Sequence, residues 1–428
     1  MRESLKVKFG DLKNGLRYYG QYDWSGRTWV SGVGVMAGSI HDPRGKSGLA
    51  HVTEHLITSV SKKYPDLGEN NALFRRHLGG RDDDANIFTN RTVTFYGHES
   101  LLYRRYMLKM LDILASFVHP NDRIIDPEMA KAELAAIHQE YYLRGVDIMD
   151  VFLEDHMHAL MYEKNPARNR IDCNVDDLEN ITTGDVKRFL RRYYVPQNAF
   201  VVILGPRFQE VKNMAEKYFD DWESTGGEPG LDYDRSEDFP ELKKIKQVEI
   251  SRGAHQYHCG IGFPTEPYAS PDRAAIEVLA RVWEARLGRL RDDNREFNGG
   301  AYRHPVELSR SFVHGMIWAH IATTSNEFEE HAEEIILEET EKLRTDLVSH
   351  EELEAEKGKM LDEYRGAFRD SADDLAEMVI EAAANGDPDL VGLHDFRNSL
   401  EKVGRRRLRN IANKYFTKNY ARVLIKPA

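Results

Sequence analysis

Two stretches, one midway along the chain and one at its end, close in the same way. Arg192-Tyr193-Tyr194-Val195-Pro196-Gln197-Asn198-Ala199-Phe200-Val201-Val202-Ile203 parallels Lys414-Tyr415-Phe416-Thr417-Lys418-Asn419-Tyr420-Ala421-Arg422-Val423-Leu424-Ile425 once a one-residue gap follows Asn198. Each reads as the end of a helix, an aromatic pair, a polar turn and a buried strand. Between them Ser224–Lys244 is rich in Gly, Pro, Asp and Glu, the composition of a linker. The pattern predicts two homologous domains, 1–223 and 245–428, joined by 224–244. Both are of ordinary domain size, and a hydrophobic content of 41% is enough to fill two cores. Each should be an α+β layer, a mostly antiparallel sheet with helices packed on one face.

Apolar periodicity supports this fold. In the first half, strands are expected at Leu5–Phe9, Leu16–Tyr19, Trp29–Met36, Thr92–Tyr96 and Phe200–Leu204. Lys13-Asn14-Gly15 reads as a tight hairpin turn, with Asn-Gly supplying positive φ. Helices are expected from Ser47, over Asn71–His77, Leu101–Phe117 and Pro127–Tyr142, from a Thr183 cap to Tyr193, and over Phe208–Phe219. In the second half the strands are Val248–Ser251, Tyr257–Phe263, Phe312–His320 and Ala421–Ile425. Its helices are Asp272–Leu287, Glu327–Leu347, His350–Phe368, Leu375–Ala384 and Arg405–Tyr415.

Charge narrows the possible partners. With 59 Lys+Arg against 71 Asp+Glu the net charge is −12, which argues against nucleic acid or an anionic membrane surface. Two cysteines, Cys173 and Cys259, make neither a disulfide framework nor a thiolate metal site. The first residues lack the apolar core of a signal peptide, and no run approaches the ~18 apolar residues of a membrane span. A cytoplasmic setting is the expectation.

The chemistry is concentrated in His51-Val52-Thr53-Glu54-His55. On a helix, His51 and His55 lie one turn apart on one face, with Glu54 beside them. Two imidazoles and a carboxylate can hold zinc and serve a zinc-activated water. A catalytic zinc needs a third protein ligand, and the Pro127–Tyr142 helix offers two candidates. Glu133 and Glu140 stand seven residues apart, two turns along one face, and spacing does not choose between them. His156 and His158 lack ligand spacing on a helix, and in the strand-like His255-x-x-His258-Cys259 run positions i and i+3 point to opposite faces, so these read as structural.

The run Ser47-Gly48-Leu49-Ala50-His51-Val52-Thr53-Glu54-His55 resembles the signature of the pitrilysin/insulysin metallopeptidases, the inverzincins that include mitochondrial processing peptidase. Ala37-Gly38-Ser39 upstream, and Gly79-Gly80, Asn86, Thr89, Thr94 and Tyr96 downstream, follow that family's order. The resemblance implies one zinc per chain on His51, His55 and Glu140, with Glu54 as general base and Glu133 as a supporting carboxylate. It implies a peptide substrate added as a strand along Asn86, Ile87, Phe88 and Thr89. Arg295 and Tyr302, in a run similar to the family's R-E-x-x-G-x-x-Y, would hold the substrate from a zinc-free second domain. Family members of this length are half-chambers, which implies a homodimer or a heterodimer with a related subunit. The implied activity is zinc-dependent endopeptidase, the alternative a non-catalytic peptide-binding or scaffold subunit. One departure stands out: Leu56-Ile57-Thr58-Ser59-Val60 follows His55 where the family has an aromatic and a Gly-Thr pair, so altered packing is expected there.

Overall fold

A computed structural model describes residues 7–21, 28–65, 85–101, 104–147, 149–171, 173–205, 208–227, 229–231, 238–252, 256–293, 306–323, 326–369 and 371–427. The expected Asn71–His77 helix, Gly79-Gly80, Arg295 and Tyr302 lie outside the described residues.

In chain order the first elements are β1 (Val7–Asp11), β2 (Arg17–Gln21), β3 (Thr28–Val35), α1 (Leu49–Ser59), β4 (Ala85–Thr89), β5 (Thr94–Leu101), α2 (Arg104–Val118), α3 (Pro127–Asp147) and α4 (Met149–Met161). There follow α5 (Val175–Leu178), α6 (Thr183–Tyr193), β6 (Ala199–Leu204), α7 (Phe208–Phe219), β7 (Lys246–Arg252), β8 (Tyr257–Thr265), α8 (Arg273–Asp293), β9 (Val306–Arg310) and β10 (Gly315–Thr323). The chain closes with α9 (Asn326–Thr345), α10 (His350–Arg369), α11 (Ala372–Ala384), α12 (Val391–His394), α13 (Phe396–Glu401), α14 (Arg405–Tyr415) and β11 (Ala421–Pro427).

The strands form two sheets, ordered β1-β2-β6-β3-β5-β4 and β7-β11-β8-β10-β9. Apart from β1 the two orders correspond strand for strand. The parallel pair occupies the same place in each, β2 with β6 and β7 with β11, and the other pairings are antiparallel. The repeated ending is thus a structural repeat. Both helices before the closing strands end alike: the Tyr194 amide donates to the Leu190 carbonyl and that of Phe416 to Ala412, each at 2.9 Å. The strand that follows sits inside its sheet, which is why β6 is buried at every position.

Each sheet has its own core. Val33, Val201, Leu111, Phe117, Phe189 and Trp222 belong to one. Ile261, Phe263, Trp283, Ile317, Ile336 and Phe416 belong to the other. The two compact units are not successive stretches of sequence. One comprises Met1–Tyr141, Asn169–Asp232 and Glu363–His394; the other comprises Tyr142–Arg168, Tyr233–Asp362 and Asp395–Ala428. Each therefore takes helical sequence from the opposite half of the chain. In the first unit α11 packs on β3 and β6; in the second, α4 packs on β8 and β11, the corresponding strands. On β8, Cys259, Ile261 and Phe263 face the apolar core, and a Cβ on Gly260 or Gly262 would meet Met157 of α4. Side chains alternate along a strand, so α4 covers the sheet's second face.

Local readings differ in instructive places. The hairpin between β1 and β2 is wider than a tight turn: Asp11 pairs with Arg17, and of the intervening residues Gly15 alone has positive φ. The Asn14 amide instead donates to the Phe219 and Trp222 carbonyls, at 2.7 and 3.1 Å. The cap of α6 is Thr182, not Thr183, because the hydroxyl of Thr182 accepts from the Asp185 amide while the Asp185 carboxylate reaches back to it. Among the described residues no helix is long and apolar enough to cross a membrane. Cys173 and Cys259 are both buried and form no disulfide.

Candidate metal centre

α1 starts where the chain has little choice of conformation. The loop from β3 runs so close to the start of β5 that a Cβ on Gly38 would lie 2.2 Å from the Asn90 carbonyl oxygen. That approach lets the Ser39 and Ile40 amides donate to Asn90 and Arg91, both at 3.0 Å. Gly48 then enters α1 with φ of 94°, left-handed backbone that favours glycine. Glycine has no side chain with which to cap the helix. Asp42 performs that task from upstream, accepting from the amides of Gly48 at 2.7 Å and Ala50 at 2.8 Å. Buried Leu49, Val52 and Leu56 fix the rotation of the helix, which brings His51 and His55 toward α3.

Three donors converge there. His51 Nε2 lies 3.3 Å from His55 Nε2, and the Glu140 Oε2 atom lies 3.7 Å and 3.5 Å from them. A tetrahedral zinc with bonds of ~2.0–2.1 Å has ligand atoms ~3.3–3.4 Å apart, so the triangle has close to the right edge. Among the described residues no other trio of His, Cys, Asp or Glu gathers in this way. Two neutral nitrogens and one carboxylate oxygen suit zinc chemically as well as geometrically.

Glu133, one of the two carboxylates left open by spacing, lies on the other side of His55. Its Oε2 is 3.1 Å from His55 Nδ1, and its Oε1 accepts from the Ser59 hydroxyl at 2.6 Å. Burial alone would lower the His55 pKa, but the bonds to Glu133 and Glu140 overcome it and push it up to about 9. Burial opposes ionisation of Glu133 too, yet the bond from His55 draws its carboxyl below the ordinary value. A proton kept on Nδ1 toward Glu133 leaves Nε2 for a metal.

Glu54 is buried, 7% exposed, and its Oε2 accepts from the Thr89 hydroxyl at 2.7 Å. Thr89 ends β4, which pairs with β5 and closes the sheet on that side among the described strands. Asn86, Ile87 and Phe88 are in the same strand. Of the residues expected at the site, the structure brings together His51, His55, Glu54, Glu133, Glu140 and Thr89. Sequence reasoning missed Asp42 and Ser59. For Asp42 a signal existed, since a helix starting at Gly48 without a capping side chain must be capped from elsewhere. Ser59 falls in the stretch that departs from the resemblance, where altered packing was expected. α8, which follows β8 as α1 follows β3, carries no histidine.

Comparison with known proteins covers most of the chain. Residues 21–175 match the family model described as Insulinase (Peptidase family M16), and residues 180–360 match that described as Peptidase M16 inactive domain. The chain is 25% identical over 431 residues to the uncharacterized zinc protease YmxG of Bacillus subtilis, spanning 99% of this chain and 98% of that protein. It is 24% identical over 418 residues to the zinc protease PqqE of Helicobacter pylori, spanning 95% and 89%. The crystal structure of a protease from Helicobacter pylori shares the fold, with a TM-score of 0.87 at 21% identity over 99% of this chain and 100% of that one.

Proposed function

We propose that this chain, which belongs to the insulinase family (peptidase family M16), is a zinc-dependent endopeptidase acting on peptides or short unfolded polypeptides. The observation that carries this reading is the convergence of His51, His55 and Glu140 beside a retained Glu54. Relatives named as zinc proteases over nearly the full length support it.

Zinc held by His51, His55 and Glu140 would polarise the scissile carbonyl and bring the pKa of a bound water toward ~7. Glu54 takes the proton of the attacking water and passes it to the leaving amine. Glu133 holds His55 in the tautomer that presents Nε2. The substrate adds as a strand along β4, where main-chain hydrogen bonds give affinity without strict sequence choice. Arg295 and Tyr302 hold the peptide backbone, a role that rests on the resemblance alone. Closure of a chamber with a second copy or a related subunit follows from the same resemblance, and the mass in solution decides it. Two buried cysteines outside any disulfide fit a reducing, cytoplasmic setting.

Glu54→Gln is the decisive variant. It should keep one zinc per chain and lose activity by ~10²–10⁴-fold. The match of residues 180–360 to a model described as an inactive domain keeps a second reading in view, a non-catalytic peptide-binding subunit. Wild-type protein that binds zinc but cleaves nothing in a mixed peptide library would favour that reading.

A further inference from the structure

We propose that Thr89 is a positioning residue for Glu54, its hydroxyl fixing how the carboxylate of the base is turned. The inference rests on the hydrolytic reading above and goes beyond it.

The Thr89 hydroxyl has two neighbours and one proton. Its Oγ1 is 2.7 Å from Glu54 Oε2 and 3.2 Å from the Oγ1 of Thr94, its register partner in β5. Thr94 donates its own proton to the Ala37 carbonyl at 2.7 Å. A carbonyl has no proton to return, so the direction of that bond is fixed. Toward Thr89, Thr94 then has only a lone pair. The Thr89 proton must choose between a hydroxyl oxygen and a carboxylate, and the nearer, ionised acceptor takes it.

Every atom in this path sits on a regular element or a pinned turn. Thr89 ends β4, Thr94 begins β5, and Ala37 opens the turn whose next amides donate to Asn90 and Arg91. Thr89, Thr94 and Glu54 are all buried, so water competes little for the bond. A donor fixed on one carboxylate oxygen fixes the rotation of the group, and with it the direction of the other oxygen. When Glu54 becomes neutral after accepting a proton, the Thr89 hydroxyl can turn to the Thr94 lone pair without leaving its place. Thr89 therefore contributes its side chain to the base, while its backbone stays in the strand expected to meet substrate.

The test uses the full, zinc-loaded chain and one cleavable peptide. Thr89→Val keeps the shape and removes the proton; Thr89→Ser keeps the proton. We expect Thr89→Val to lower kcat by about tenfold or more, with KM, zinc content and Tm unchanged, and Thr89→Ser to stay within about threefold of wild type. Thr89→Val added to Glu54→Gln should lower kcat no further. Where Val does not fold, Thr89→Ala gives the same comparison. Unchanged kcat in Thr89→Val overturns the proposal. So does raised KM at unchanged kcat, which would make Thr89 a substrate contact. Equal damage from Ser and Val also overturns it, since shape would then be what matters. A wild type inert toward all peptides sinks the hydrolytic reading and the role of Thr89 together, and shows before any variant is made.

Discussion

Ser59 and Glu133 show how far the centre extends beyond His51, His55 and Glu140. The Ser59 hydroxyl lies 2.6 Å from Glu133 Oε1 and 2.7 Å from the His55 carbonyl, so it ties the far carboxylate to the helix that bears the ligand. Removing the negative charge with Glu133→Gln should weaken zinc binding by about 10–100-fold, the usual cost of losing such a partner. Ser59→Ala, one bond further out, should cost less than about tenfold. Competition against a chromogenic chelator measures both. His51, Glu54 and His55 were legible because helix spacing alone puts them on one face. Glu133 and Glu140 were legible as a pair, but their roles separate only where α3 meets α1. Ser59 was not legible as part of the site, and Thr89 was legible only as a residue of the substrate strand and not as a partner of Glu54, because the partner of a hydroxyl is set by tertiary packing.

The helix that carries His51 and His55 depends on a carboxylate outside it. Asp42 satisfies amides at the start of α1 that Gly48 has no side chain to reach. Asp42→Ala should destabilise the protein by about 1–2 kcal/mol, as loss of a helix cap does, and should also lower zinc affinity by loosening the turn before His51. Denaturant unfolding and zinc titration test the two effects separately. Most helices and strands were legible from apolar periodicity, but α4 was not. Beside the buried Leu153 and Met157, its sheet-facing side carries Asp150, Glu154 and His158, a polar series at helical spacing. Those side chains meet His320 at 3.0 Å and Ser309 at 2.7 and 3.0 Å. An interface that sets hydrogen bonds to residues so distant in sequence beside Leu153 and Met157 blurs the apolar stripe along the helix.

For the molecule as a whole, two buried histidines make stability depend on acidity. Burial, with Arg192 adding to it, lowers the His41 pKa to about 4; burial and then neighbouring His320 lower that of His258 to about 4. Their folded values lie below the unfolded ~6.5, so the unfolded chain takes up these protons first as pH falls. Their contribution to stability should decline from about pH 6.5 to pH 4 and level off below, by an amount on the order of 3 kcal/mol for each histidine. Melting temperatures across that range should fall less steeply in His41→Gln and His258→Gln. A melting curve of the same slope in both variants would show that other groups carry the effect.

The exchange of α4 and α11 between the two halves bears on how such a chain can be made. As it leaves the ribosome, the first sheet has all its strands once β6 has emerged, yet α11 is still some 170 residues from synthesis. Meanwhile α4 is already outside, its polar stripe waiting for strands not yet translated. Neither unit can be finished alone, since each draws a helix from the other half of the sequence. A chain made in this order completes the sheet that carries α1 well before the helix that covers the same sheet has been synthesised.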